Sequence, residues 1–233
     1  MKTRKFLGVV LIAAMIASVA AAAFAVGTLA VTPSKLTVTY PHSAKLRITT
    51  PSALMATITV QARSASVDWH TIRSIPAARA ALGTTFTVYP MLKVNSGIRV
   101  MQADMTSDVV TVSVKALLSP LQVTQKHRAL TIRGSIMPAH VVRTPITVHV
   151  WQMTMTGKGR ARHATLTALP DLTGTVYKSN RGQSWWKAPF TAPAKATYVF
   201  KAFHSDVDHV GSWSKAKIVK IKWLNAPKLK GKK

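Results

Sequence analysis

The chain has no cysteine and no glutamate. The first absence excludes disulfides, thiolate nucleophiles, thiolate metal sites, iron–sulfur clusters and a lipid-modified N-terminal cysteine. The second excludes the zinc-protease motif H-E-x-x-H and paired-glutamate acid/base chemistry. Acids of any kind are scarce. Six aspartates (Asp68, Asp104, Asp108, Asp171, Asp206, Asp208) stand against 32 Lys+Arg, a formal charge of +26. G-x-S-x-G and the phosphate-binding G-x-x-x-x-G-K-[ST] do not occur, and Asn95 and Asn180 lie outside glycosylation sequons. Leu169-Pro-Asp-Leu-Thr-Gly174 looks like a sortase signal but has one residue too many and sits mid-chain. No catalytic constellation is left. The expectation is a non-enzyme with no cofactor, no metal and no small-molecule substrate.

What is present supports a folded, exported protein. Hydrophobic residues make up 48% of 233 positions, enough for one large core or two domains of about 100 residues. The chain opens with three positive charges, Lys2, Arg4 and Lys5, then runs uncharged from Phe6 to Val31. A basic start, an apolar run and the small-x-small Ala23-Phe24-Ala25 form an export signal, residues 1–25, with cleavage expected near Ala25. The apolar run exceeds an ordinary signal core, so retention of residues 6–31 as a membrane anchor is the alternative. Either way the remainder is expected to be secreted or displayed at the cell surface.

After Val31 the pattern turns to period two. Leu46 and Ile48 alternate with Lys45, Arg47 and Thr49; Ile58, Val60 and Ala62 with Thr59, Gln61 and Arg63. Val110, Val112 and Val114 alternate with Thr111, Ser113 and Lys115. These are half-buried antiparallel strands, rich in the valine and threonine that pleated sheets favour. The order then recurs: Ala129–Arg133 matches Ala44–Ile48, Thr144–Trp151 matches Ala56–Arg63, Thr197–Phe203 matches Gly97–Ala103, and Ser214–Lys222 matches Ser107–Lys115. The expected fold is all-β, with two tandem antiparallel β-sandwiches over 28–118 and 121–224, joined through Ser119-Pro120 and preceded by the hydrophobic signal or anchor helix. Ala77–Leu82 is read as one short helical turn at most. The tail, residues 225–233, carries no pattern and is expected to be disordered.

Two stretches of the second copy carry a resemblance. Leu130-Thr-Ile-Arg-Gly-Ser-Ile-Met-Pro138 is similar to the opening strand and turn of secreted bacterial immunoglobulin-like (Big-type) repeats. Tyr198-Val-Phe-Lys-Ala-Phe-His-Ser-Asp-Val-Asp-His-Val-Gly-Ser-Trp213 and the strand after it resemble the last hairpin of such domains. The first copy is similar only loosely, lacking the glycine after its opening strand and the full Asp-x-x-His loop. The resemblance implies an immunoglobulin-like fold and a modular surface protein whose domains space, adhere or bind polymers.

Charge is the strongest functional signal. Residues 26–118 hold nine basic residues and three acids; residues 119–224 hold sixteen and three. Such an imbalance on an exported protein points to polyanions: an anionic cell-envelope polymer, anionic lipid or extracellular DNA. The candidate contacts are Lys158, Arg160, Arg162 and His163 in a glycine-opened tip, Arg181 and Lys187 beside two tryptophans, and Lys228, Lys230, Lys232 and Lys233 in the tail. Trp185 and Trp186 are stacking candidates. On a strand they point to opposite faces, so one should fill the core and the other stand outside. Asp206 and Asp208, with His204 and His209, sit in the turn of the last hairpin. Calcium would need more carboxylate charge than this, a His/Asp zinc site exists on paper, and local Asx-turn bonding is the expectation. The function expected is a non-catalytic binding and spacer module held to anionic polymers by distributed Lys/Arg. The alternative is a membrane-anchored adhesion or structural protein that takes a protein partner on a sandwich face or edge.

Overall fold

The structure, a computed structural model, describes residues 29–50, 56–76, 85–157 and 162–221. The described residues form strands and no α-helix. The signal 1–25, the turn at 77–82, and Lys158, Arg160, Trp223 and the tail with Lys228, Lys230, Lys232 and Lys233 lie outside them.

The first half contributes β1 (Ala30–Pro33), β2 (Thr37–Thr39), β3 (Leu46–Thr49), β4 (Ile58–Arg63), β5 (His70–Ile75), β6 (Thr85–Val88), β7 (Ser96–Gln102), β8 (Met105–Thr106) and β9 (Val110–Lys115). They make a three-stranded sheet in the order β1-β3-β6 and a six-stranded sheet in the order β2-β9-β7-β4-β5, with β8 on β7. Pairing is antiparallel except that β2 runs parallel to β9. Alternation turns Leu46, Ile48 and Val88 of one sheet toward Ile58, Val60, Ile98, Val100, Val112 and Val114 of the other, and all belong to one apolar cluster. Each such side chain contributes about 1.5–3 kcal/mol by leaving water.

The second half contributes β10 (Leu117–Leu118), β11 (Gln122–Lys126), β12 (Ala129–Met137), β13 (Pro145–Thr156), β14 (His163–Asn180), β15 (Gln183–Thr191), β16 (Thr197–His204), β17 (Ser212–Trp213) and β18 (Lys217–Lys220). Here all nine strands join one sheet, in the order β10-β12-β15-β14-β13-β16-β17 with β11 on β12 and β18 on β16. The long β14 makes this continuity. Its residues 163–175 pair with β13, and from Thr175 to Asn180 it pairs with β15. The sheet encloses Leu130, Ile132, Ile136, Ile146, Val148, Trp186, Phe190, Tyr198, Phe200 and Ile221. Trp186 is fully buried, and an added Cβ would lie 2.7 Å from its ring at Gly134 and 3.1 Å at Gly174. Those two glycines sit on the strands flanking β15. Only a residue without a side chain lets the indole lie flat against each neighbour.

Three expectations need correction. Ser119-Pro120 is not the joint between the halves. Leu117 and Leu118 already pair with β12, and Ala116, Leu118 and Leu121 lie in the second core, so the chain passes from one core to the other at Lys115–Ala116. Pro120 instead interrupts an edge strand, with β10 and β11 lying on either side of it along β12. An anchor over 6–31 would overlap the first core, because Leu29 and Val31 are buried there and β1 pairs with β3. Finally, the match of Thr197–Phe203 to Gly97–Ala103 slips by two residues. Val60 faces Val100 in the first half, and Val148 faces Ala202 in the second. A two-residue slip keeps every side chain on its face, so alternation cannot detect it.

One local device marks the corrected register in both halves. Val100 N–H donates to Ser107 Oγ at 2.9 Å, and Ala202 N–H donates to Ser214 Oγ at 2.9 Å. Each hydroxyl passes its own proton to the next carbonyl, that of Asp108 or Lys215. Among the described residues no helix is long and apolar enough to cross a membrane.

Candidate functional site

Alternation along β15 buries Trp186 and places Trp185 on the outer face. A bulge then enriches that face. Val176 faces Trp186 and Lys178 faces Trp185, leaving Tyr177 as the extra residue between them. The bulge therefore turns consecutive residues, Tyr177 and Lys178, away from the core. Lys178 Nζ lies 5.4 Å from the Trp185 ring, and Lys187 Nζ lies 5.4 Å from the Tyr177 ring. Arg133 on β12 faces Lys187 across the strand pair. Arg133, Tyr177 and Trp185 line a cleft of about 470 Å³ with Ser119, Gln122 and Gln183 among others and no carboxylate in its walls, while Lys178 and Lys187 stand beside two of its rings.

Aromatic rings, amides and cations in one open groove are the side chains that hold sugar rings and phosphate or sulfate esters. A second outer-face tryptophan repeats the combination. Arg99 and Arg63 stand 4.1 and 5.0 Å from the Trp69 ring, and Arg99 Nε donates to Gln61 at 2.8 Å.

Among the described residues the other candidate cations do not join this face. Arg181 occupies the exposed hairpin tip between β14 and β15, where Gly182 takes a positive φ of 81°. Arg162 and His163 stand exposed at the opposite end of β14. Fifteen residues separate His163 from Lys178, about 50 Å along an extended strand.

A second constellation formed that spacing did not show. His204 closes β16, and Asp206 and His209 follow in the loop 205–211. Asp206 also receives His140, from the loop after β12, sixty-odd residues earlier. The Asp206 carboxylate lies 2.9 Å from His204 Nε2, 2.9 Å from His209 Nδ1 and 3.4 Å from His140 Nε2. The expected Asx turn is present as well, since Asp208 N–H donates to Asp206 Oδ1 at 2.9 Å. Burial holds the His140 and His204 rings below the ordinary histidine range, the latter despite the opposing Asp206 charge. Burial alone would raise Asp206, but the hydrogen bond and charge of His209, followed by those of His204, bring it below the usual carboxylate value. The H-S-D-V-D-H stretch was legible; His140 was not, because only the fold brings its loop to β16.

No family model matches the chain, and no curated protein sequence matches it. Among solved structures, a two-domain fibronectin type-III segment from chicken tenascin superposes with a TM-score of 0.44 at 13% identity, covering 84% of this chain and 98% of that one. A purple acid phosphatase from yellow lupin seeds gives 0.35 at 8% identity, over 84% of this chain and 41% of that chain. At these values neither likeness adds to what the strand order itself shows.

Proposed function

We propose that this chain is an exported, non-catalytic binding and spacer protein that holds an anionic polymer on the basic, aromatic outer faces of two tandem immunoglobulin-like sandwiches. The observation that carries the reading is the Trp185 cleft, lined by Tyr177 and Arg133 with no carboxylate, whose two rings carry Lys178 and Lys187 beside them. The charge beyond residue 25, 29 Lys+Arg against six aspartates or +23, supplies long-range attraction and the cleft supplies a place for sugar or base to stack. Each exposed ion contact contributes under about 1 kcal/mol, so attachment depends on many contacts along one ligand. Arg162, His163 and Arg181 extend the contact line beyond the cleft, with the six candidates outside the described residues adding to it.

The test is retention of the full chain on immobilised polyphosphate and on isolated cell envelopes across a salt series. Binding is expected to collapse between about 50 and 500 mM salt, as counterion release requires. Trp185→Ala is expected to weaken whatever envelope binding exceeds that to polyphosphate, by about 1–3 kcal/mol for one lost stacking contact. Absence of binding at low salt would overturn the proposal. Persistence at high salt would replace it with a protein partner on a sandwich edge or face.

A further inference from the structure

The His140, His204, His209 and Asp206 cluster goes beyond polyanion attachment. One ligand atom from each residue lies within 4.8 Å of the others. The rings are held from behind by carbonyls. His140 Nδ1 is 2.7 Å from the Pro138 oxygen, His209 Nε2 is 2.9 Å from the Lys93 oxygen, and the Pro145 backbone hydrogen-bonds the His204 ring. A carbonyl only accepts, so His140 Nδ1 and His209 Nε2 carry the hydrogens, and in the neutral rings the inward nitrogens present lone pairs. They present them to a carboxylate, which also only accepts. His140 Nε2 shows the conflict most plainly: its side chain is 6% exposed, and the nitrogen has no hydrogen-bond partner, its contact with Asp206 at 3.4 Å lacking the geometry of one. Protonating every ring would crowd three cations around one carboxylate in a largely buried site. A divalent cation at the centre satisfies all the inward lone pairs at once.

We infer that His140 Nε2, His204 Nε2, His209 Nδ1 and an Asp206 oxygen bind a zinc-class divalent ion, and that the bound ion fastens the loop 205–211 to the first half of the chain. Nitrogen and carboxylate donors suit zinc and exclude calcium, which takes oxygens. Tetrahedral bonds of 2.0–2.1 Å place ligand atoms about 3.3 Å apart. His140 and His204 Nε2 lie 3.4 and 2.9 Å from Asp206 Oδ2, His209 Nδ1 lies 2.9 Å from Oδ1, and the whole set lies within 4.8 Å, so the rings need only draw in slightly around an ion. The carbonyls behind the rings are the outer-shell partners that fix a metal-binding imidazole's tautomer and direction. With four protein ligands no position is left for a reacting water, so the site is structural. The fastening follows from what surrounds it. Lys93, behind His209, belongs to the first half; so do Asn95, whose N–H donates to Asp208 O at 2.7 Å, and Val114, whose carbonyl accepts from Val210 N–H at 2.9 Å.

The test uses the full chain stripped with a chelator, then titrated with Zn²⁺ against a chromogenic competitor and separately with Co²⁺. One zinc per chain and the intense visible bands of tetrahedral cobalt(II) are expected. His140→Ala should weaken zinc binding by more than the roughly 10–100-fold that loss of an outer-shell partner costs. Asp206→Asn, a near-isosteric change, gives the same readout should His140→Ala fail to show native β circular dichroism. On zinc addition the amides of Asn95 and Val210 should exchange at least several-fold more slowly, while those of β13 remain unchanged. No binding, an octahedral cobalt spectrum, or zinc affinity untouched by folded His140→Ala and Asp206→Asn proteins overturns the site. Zinc bound with unchanged exchange at Asn95 and Val210 overturns the fastening.

Discussion

Residues 30–115 close their core with aliphatic side chains supplied by two separate sheets, whereas residues 117–221 wrap one continuous sheet around Trp186, Phe190, Tyr198 and Phe200. The aromatic core makes demands that the aliphatic one does not. Trp186 needs a glycine on each flanking strand, and Phe190 meets Tyr198 and Phe200 edge-on at ring separations of 5.2 and 5.4 Å. Tyr198 must also satisfy its hydroxyl, which donates to Ala194 O at 2.9 Å. A core of large rings thus fixes more of its surroundings than a core of Val and Ile. The glycine that the first half lacks after its opening strand is the other side of the same fact, since no indole there requires it.

The sharpest break in this comparison is truncation of the rings. Trp186→Ala is expected to cost about 3–5 kcal/mol, and Leu46→Ala in the first core about 2–5 kcal/mol. Hydrogen exchange resolved by strand would show whether each loss stays within its own core. If Trp186→Ala loosened β4 and β7 as much as β13 and β16, the two cores would be one cooperative unit and the contrast would fail.

Next in size are the glycines. Gly134→Ala places a Cβ 2.7 Å from Trp186 Cζ2 and is expected to cost about 1–3 kcal/mol as overpacking. Gly97→Ala meets the exposed Val109 at 3.2 Å, a side chain that can turn away, so its loss of thermal stability should be clearly smaller. Equal shifts in melting temperature would mean that the indole is not what holds Gly134 in place.

The two serines should behave alike. Ser107→Ala and Ser214→Ala each leave a buried backbone N–H without its acceptor, and each is expected to cost about 1–2 kcal/mol in denaturant unfolding. A marked inequality would break the equivalence of the two halves at a place where their hydrogen bonding coincides. Smallest of all are single surface cations. Lys187→Gln or Arg63→Gln is expected to weaken polyphosphate retention by under about 1 kcal/mol and to lower the salt slope by about one contact. A larger effect from Lys187 alone would concentrate the binding in the second half.

The strand faces were legible from residue order because a period of two needs no partner to be read. Leu46, Ile48, Ile58, Val60, Val112 and Val114 are buried as alternation requires, and Trp185 and Trp186 divide between the two sides of β15. Charge and the absence of thiols were equally local facts. Register was not legible, because a slip of two residues leaves every face unchanged; Ser107 and Ser214 reveal it only through hydrogen bonds across strands. Nor could composition locate the bulge at Tyr177, which depends on how β14 passes from β13 to β15. The His140 cluster lies furthest from any local signal. Its four ligands come from the loop after β12, the end of β16 and the loop 205–211, and its outer shell includes a carbonyl from the first half. By itself the sequence determined an all-β, cationic, thiol-free chain, since these properties belong to residues and their immediate neighbours. Only the tertiary structure decided which side chains share a cleft and which imidazoles face one carboxylate, because those are distances through space between segments the chain does not place side by side.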